Sequence, residues 1–278
     1  MKYKIIAVDM DGTLLNDDKH ISDYNIEMIN KAVDCGVKFV IASGRIPSGL
    51  KFYEATVSKN QPMICCNGAI ILDENKNDIY SNSIEKNSAL QVIEVLREKK
   101  DTYYHFYSEG IVHGEQFGFG IEGVYEFNRK SDRDLRMEIR LVSDAKEYIK
   151  NISKEINKIV VQDKDLQYLD ELRKKLDNIQ GVETTKSNID NIEICAKNVK
   201  KGNGLEILAN HYGISLEQCI AVGNDENDIS MIECAGLGVA VKNSRDYIKE
   251  FANYVTKRDN NNGAIGEVIK KFILNGEN

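Results

Sequence analysis

KYKIIAVDMDGTLL (residues 2–15) is the stretch on which the fold turns. The run KIIAV (4–8) is continuously apolar after its first residue, as a strand covered on both faces must be. It stops at two carboxylates one residue apart, Asp9 and Asp11, followed by Gly12 and Thr13. Charge at the mouth of a buried strand is costly unless something of opposite sign sits beside it. A divalent cation next to a nucleophile is the arrangement that makes such a collection of charge useful.

Working outward, strands and helices alternate. Ser22 is placed to cap a helix carrying Ile26, Ile29 and Val33, with Gly36 as its stop. VKFVIAS (37–43) reads as the next buried strand, a helix is expected over about 47–58, and PMICCNG (62–68) reads as a third strand. Residues 83–190 lose this regularity: a helix near 88–99, the aromatic strand TYYHFYS (102–108), a turn-rich stretch, then RMEIRLV and KIVVQ. After that the first style returns, with KKGNGLEILANHYGI (200–214) as a helix, CIAVG (219–223) as a strand, NDISMIECAG as a helix and LGVAV (237–241) as a strand. Alternation of this kind implies right-handed βαβ units and a parallel sheet. The expected fold is therefore α/β, a parallel-sheet core over residues 1–82 and 191–278 interrupted by an α+β domain over 83–190.

Composition narrows the functional class. The 278 residues are 42% apolar, enough for a sizeable core, and the net charge of −7 argues against nucleic acid or an anionic membrane surface as partner. The six cysteines include no C-x-x-C pair and read as reduced thiols. No leader and no apolar run of about 20 residues stands out, so a soluble, cytoplasmic protein is expected. The sequence leaves the oligomeric state open.

Ligands of open parallel sheets bind beyond the carboxyl ends of the strands. Four such ends carry polar clusters: Asp9 to Thr13, Ser43-Gly44-Arg45, Asn67-Gly68, and Gly223-Asn224-Asp225-Glu226-Asn227-Asp228. One cluster is ordinary turn chemistry; four on one edge point to metal-assisted phosphoryl transfer. Asp9 could bind Mg²⁺ and attack phosphorus, Asp11 could move the proton, and Ser43, Gly44 and Lys201 could meet a phosphate. Lys200 is the rival of Lys201. Two near-motifs are set aside. GFGIEG (118–123) is followed by VYEFNRKSDRD, which gives no apolar helix, and GRIPSGLK (44–51) has Leu50 where a P-loop needs lysine. His105 and His113 lack a metal-ligand partner at suitable spacing.

DMDGTLL, IASGR, CNGA, VKKGNGL and GNDENDISMI, in that order over the whole chain, resemble the haloacid dehalogenase (HAD) superfamily, and within it the Cof-type phosphatases with a large α/β cap. The resemblance implies a Rossmannoid core and a Mg²⁺-dependent phosphatase with an aspartyl-phosphate intermediate, acting on a small phosphorylated metabolite. It implies Asp9 as nucleophile and metal ligand, and Asp11 as acid/base with its carbonyl on the metal. Met10, Ser43, Gly44, Lys201 and Asn227 would cradle the phosphate, and Arg45 and Asn67 would lie toward the cap. The family pattern Gly-Asp is here Gly223-Asn224, so the third metal ligand is open between Asn224 and the neighbours Asp225 and Asp228. A phosphotransferase or mutase with the same intermediate and a weakly catalytic ligand-binding relative are the alternative functions.

Overall fold

The computed structural model describes residues 2–153 and 156–276. Its strands, in chain order, are β1 (Ile5–Val8), β2 (Lys38–Ala42), β3 (Met63–Cys65), β4 (Ile70–Leu72), β5 (Asp78–Ser81), β6 (Tyr103–Ser108), β7 (Ile111–Gly114), β8 (Ile139–Leu141), β9 (Lys158–Gln162), β10 (Val182–Thr185), β11 (Asn191–Ala196), β12 (Cys219–Gly223), β13 (Leu237–Ala240) and β14 (Tyr254–Val255). They form two sheets, ordered β14-β13-β12-β1-β2-β3-β4-β5 and β10-β11-β9-β6-β7-β8. The chain divides into two compact units accordingly: Met1–Gly44 with Tyr53–Ser81 and Lys200–Asn278, and Arg45–Phe52 with Asn82–Val199.

In the first unit β1 lies between β12 and β2, parallel to both, with Val8 opposite Val222 and Ile41. All four of its residues are fully buried, which is why the run contains no polar residue. β3 continues the parallel sheet, and β4 and β5 close that side antiparallel. Because β1, β2, β3 and β12 run the same way, Asp9, Ser43, Cys66 and Asn224, each the next residue after its strand, come to one edge. The first helix, Asp23–Asp34, starts where Ser22 Oγ accepts from Asn25 N and ends before Gly36 at φ +86, as the caps predict. The helix Lys201–His211 buries Leu205, Leu208 and Ala209 against Ile5, Ala7, Val40 and Ala221 of the sheet.

The second unit is α+β, its sheet antiparallel except between β7 and β8. Two boundaries differ from the sequence division. Residues 191–199 belong here, because β11 pairs with β9 and β10 (Ile192 opposite Val161, Val182 opposite Ala196). Arg45–Phe52 also joins it: Ser48 Oγ donates to Gly110 O at 3.1 Å and Phe52 meets Phe127 edge-on at 6.4 Å. The helix expected over 47–58 is three short pieces, a 3₁₀ turn at Pro47–Gly49, an α turn at Lys51–Tyr53 and a π turn at Glu54–Ser58. A helix, Phe119–Lys130, does run through GFGIEG, contrary to expectation; only Ile121 of it is buried, which is why it showed no apolar face. Among the described residues, no helix is long and apolar enough to cross a membrane, and no disulfide joins any of the six cysteines.

TYYHFYS is core: Tyr103, Tyr104, His105 and Phe106 are buried. His113 stacks on Phe106 and meets the Tyr148 hydroxyl at 2.9 Å. The His105 Nε2 meets the Tyr107 hydroxyl at 3.1 Å, while its Nδ1 is buried without a hydrogen-bond partner. Burial, with Lys158 nearby, pushes the His105 imidazole down to about 3, against a smaller pull from Glu193. The unfolded chain therefore takes up a proton near pH 6.5 that the folded chain refuses until about pH 3, so stability falls as pH falls through that window. The loss is at most about 1.4 kcal/mol per pH unit. Urea denaturation followed by the fluorescence of the tyrosines should show a flatter pH profile between 6.5 and 3 for His105→Asn than for the parent chain.

Candidate active site

Lys201 is wholly buried, an expensive place for an ammonium. Its Nζ donates to Asp9 Oδ1 at 2.6 Å and to Asp228 Oδ1 at 2.7 Å. Burial alone would lower the lysine's pKa, but Asp228 and Asp9 outweigh it and hold the group above its ordinary value. Lys200, the rival by sequence, is exposed and serves as the N-cap of the helix. The helix start is fixed by close approach: a Cβ on Gly202 would lie 2.3 Å from Ser230 O, and one on Gly68 (φ +104) would lie 2.5 Å from Lys200 O. Gly202 N donates to Ser230 Oγ at 3.0 Å.

Asp9 is buried between this lysine and the start of the GNDEND turn. Burial and Asp228 raise its pKa to about 7, while Lys201 pulls it down. Asp228 has both oxygens engaged: Oδ1 with Lys201, Oδ2 accepting from Asn224 N at 2.8 Å and Asp225 N at 3.1 Å. Gly223 leaves room for that carboxylate, since a Cβ there would lie 2.4 Å from Asp228 Cβ. Asp225 caps the turn, accepts from Glu226 N at 2.7 Å and pairs with Arg245 at 3.1 Å.

The third group is the Asn224 side chain. One of its amide atoms lies 2.7 Å from Thr13 Oγ1, 3.0 Å from Asp11 O and 3.1 Å from Asp9 Oδ2. Turned oxygen-inward, Asn224 accepts from Thr13 and forms with Asp9 Oδ2 and Asp11 O a corner of three oxygens, the hard donor set that suits Mg²⁺. Among the described residues no cluster of three carboxylate, thiol or imidazole side chains could hold a metal; the corner instead joins one carboxylate to a peptide carbonyl and an amide. The Asp11 carboxylate, partly exposed, is 2.9 Å from Lys19 Nζ.

The remaining predicted residues divide. Ser43 is buried, its N–H donating to Ile64 O and its carbonyl accepting from Asn67 N. Gly44 is not at a helix start, so no helix N-terminus presents its amide to a phosphate: the next helical turn begins at Pro47, with Ile46 in the N-cap position. Asn67, left-handed at φ 60 after Cys66 at φ 50, accepts from Asn227 Nδ2 at 3.2 Å. Met10 is fully buried, and its carbonyl accepts from Thr13, Leu14 and Leu15. Arg45 falls in the second unit, Asn67 in the first. The sequence placed Thr13 in the first polar cluster without a role and did not single out Ser230 or Arg245; Thr13, in the DMDGT stretch itself, is the one the motif could have yielded.

The sequence profile of the haloacid dehalogenase-like hydrolases matches residues 6–269. The chain belongs to this family, in its Cof-type branch. It is 31% identical to the 5-amino-6-(5-phospho-D-ribitylamino)uracil phosphatase YcsE of Bacillus subtilis, over 98% of this chain and 96% of that one. It is 28% identical to the pyridoxal phosphate phosphatase YbhA of Escherichia coli, over 99% of this chain and all of the other. A haloacid dehalogenase-like hydrolase from B. subtilis has a similar structure, with a TM-score of 0.86 and 25% identity over 97% of this chain and 100% of its own.

The lysine bridge makes a stability test. Lys201→Met leaves two buried carboxylates facing each other, and breaking a buried ion pair on one side costs about 3–5 kcal/mol. The loss should be largest above pH 7 and smaller near pH 5, where Asp9 binds a proton in the folded state. Urea denaturation in EDTA at the two pH values checks both the size and the sign.

Proposed function

We propose that this chain, an HAD-type phosphoric monoester hydrolase, cleaves a small phosphomonoester through an aspartyl-phosphate at Asp9, with Mg²⁺ as cofactor. One observation carries the reading. The two oxygens of one buried carboxylate are held differently, Oδ1 by the Lys201 ammonium and Oδ2 beside Asp11 O and the Asn224 amide. A group with one oxygen for a cation and the other turned to a shared ammonium is built to be a ligand and a nucleophile together.

Asp9 Oδ2, Asp11 O and Asn224 Oδ1 would hold the ion; with Asp228 engaged on all sides and Asp225 turned to Arg245, Asn224 is the better third ligand. When bound, Mg²⁺ supplies positive charge to the phosphoryl oxygens. The rest is done by the chain. Asp9 Oδ1 attacks phosphorus, the bond from phosphorus to the ester oxygen breaks, and the Asp11 carboxyl gives its proton to the departing alkoxide. Asp11 then takes a proton from water as that water attacks phosphorus, the acyl-phosphate bond breaks, and inorganic phosphate leaves with Asp9 restored. Lys201 offsets the charge that Asp9 and the phosphate bring together. Met10 N–H, Ser43, Gly44 and Asn227 are the candidate donors to the phosphate.

For substrate we take a sugar phosphate, a nucleotide or a phosphorylated cofactor, in keeping with the names of YcsE and YbhA. We assign the choice of leaving group to the inserted unit, with Arg45 and Asn67 as candidate contacts. The test is phosphate release from a panel of phosphorylated metabolites with Mg²⁺. The parent chain should turn over at least one, and Asp9→Asn should be slower by about a thousandfold or more. Phosphate appearing on an added alcohol in preference to water would favour a phosphotransferase; no turnover on any member would defeat the reading.

A further inference from the structure

Asn224 is held at its backbone and free to turn at its end. Its N–H donates to Asp228 Oδ2, which fixes the main chain. Beyond Cβ the planar amide has two orientations half a turn apart with nearly the same shape. Its outer atom faces Gly12, where a Cβ would lie 2.8 Å away, so the glycine leaves room for either NH₂ or oxygen.

The two orientations suit different contents of the corner. The inward atom has three neighbours: Thr13 Oγ1, Asp11 O and Asp9 Oδ2. Asp11 O is a carbonyl and only accepts, and Asp9 Oδ2 likewise only accepts when its carboxylate is ionised. An inward oxygen sets unprotonated acceptors against each other unless a cation lies among them. An inward nitrogen shares its two hydrogens among the three acceptors. Thr13 serves either state, because a hydroxyl donates to the oxygen at 2.7 Å or accepts from the nitrogen at the same distance.

We propose that Asn224 is a rotating positioning residue: nitrogen-inward in the metal-free protein, where it hydrogen-bonds the metal-facing oxygens, and oxygen-inward when Mg²⁺ is bound. This rests on the reading of the corner as a Mg²⁺ site. An aspartate at this position could not play both parts. It would set a second negative charge against Asp9 in the metal-free state, and it would bind the cation with a full charge. The asparagine therefore trades cation affinity for a metal-free protein whose acceptors are satisfied.

The experiment follows the Asn224 side-chain NH₂ resonances in ¹⁵N-labelled full-length protein, assigned by their loss in Asn224→Asp. In EDTA these protons should exchange slowly with solvent. Addition of MgCl₂ should shift them and speed their exchange as the NH₂ turns outward. In parallel, Asn224→Asp should melt below the parent in EDTA, gain more from Mg²⁺, and bind Mg²⁺ about tenfold or more tightly by calorimetry. Mg²⁺-induced shifts in the backbone amides of residues 9–13 with no change in the Asn224 NH₂ pair would overturn the rotation and leave the metal site standing. A melting point of Asn224→Asp in EDTA equal to or above the parent's would also overturn it. No response of any residue in the corner to Mg²⁺ would overturn the rotation and the cation reading together.

Discussion

A fully buried ammonium holding two carboxylates, Lys201 between Asp9 and Asp228, is the constraint on which the rest of the first unit's candidate site depends. An ion triad of this kind is weak evidence of stability, because the cost of desolvating three charges consumes most of their attraction. It is better evidence of purpose. The sequence around it is shaped to permit it: glycine at 202 lets the helix start approach Ser230, glycine at 68 lets the turn after β3 approach Lys200 O, and glycine at 223 leaves room for the Asp228 carboxylate. At each of these positions a methyl group would come within 2.5 Å of the neighbouring chain, at Ser230 O, Lys200 O and Asp228 Cβ respectively.

The triad divides the labour of Asp9. With Oδ1 on Lys201, only Oδ2 is left for the corner formed with Asp11 O and Asn224. Burial and Asp228 push the Asp9 carboxyl toward its neutral form, which would be a poor nucleophile at neutral pH. Lys201 on one side favours the ionised form, and the proposed cation on the other would favour it further. In the proposed mechanism phosphate, cation and nucleophile would be linked through this one carboxylate, each favouring the binding of the others.

Much of this was legible in the residues. The buried run KIIAV, the Ser22 cap and the Gly36 stop fixed the first βαβ unit, because parallel strands and helix caps leave strong local signals. The order of motifs carried the family. What was not legible depends on tertiary pairing. β11 carries the alternation of any strand, and nothing local says that its partners are β9 and β10 and not a strand of the parallel sheet. The helix Phe119–Lys130 buries one side chain, so no apolar stripe announced it. The choice of Lys201 over Lys200 could be argued only from motif position, yet in the fold the two differ completely, one buried and doubly bonded, the other exposed. The GNDEND turn posed the opposite problem: five acceptor side chains in a row could all be ligands, and only the hydrogen bonds separate Asp228, engaged by Lys201 and two amides, from Asn224.

In the proposed reaction Asp9 carries the phosphoryl group during turnover. The most direct measurement mixes the Mg²⁺-loaded enzyme with its best phosphomonoester, quenches in acid within the first turnover, and maps the peptides by mass spectrometry. One added phosphoryl group is expected on the peptide containing Asp9, labile to base and absent when Asp9→Asn is treated identically. An enzyme that releases phosphate in a burst-free reaction with that peptide unmodified at every quench time, or with the group on another residue, would contradict it.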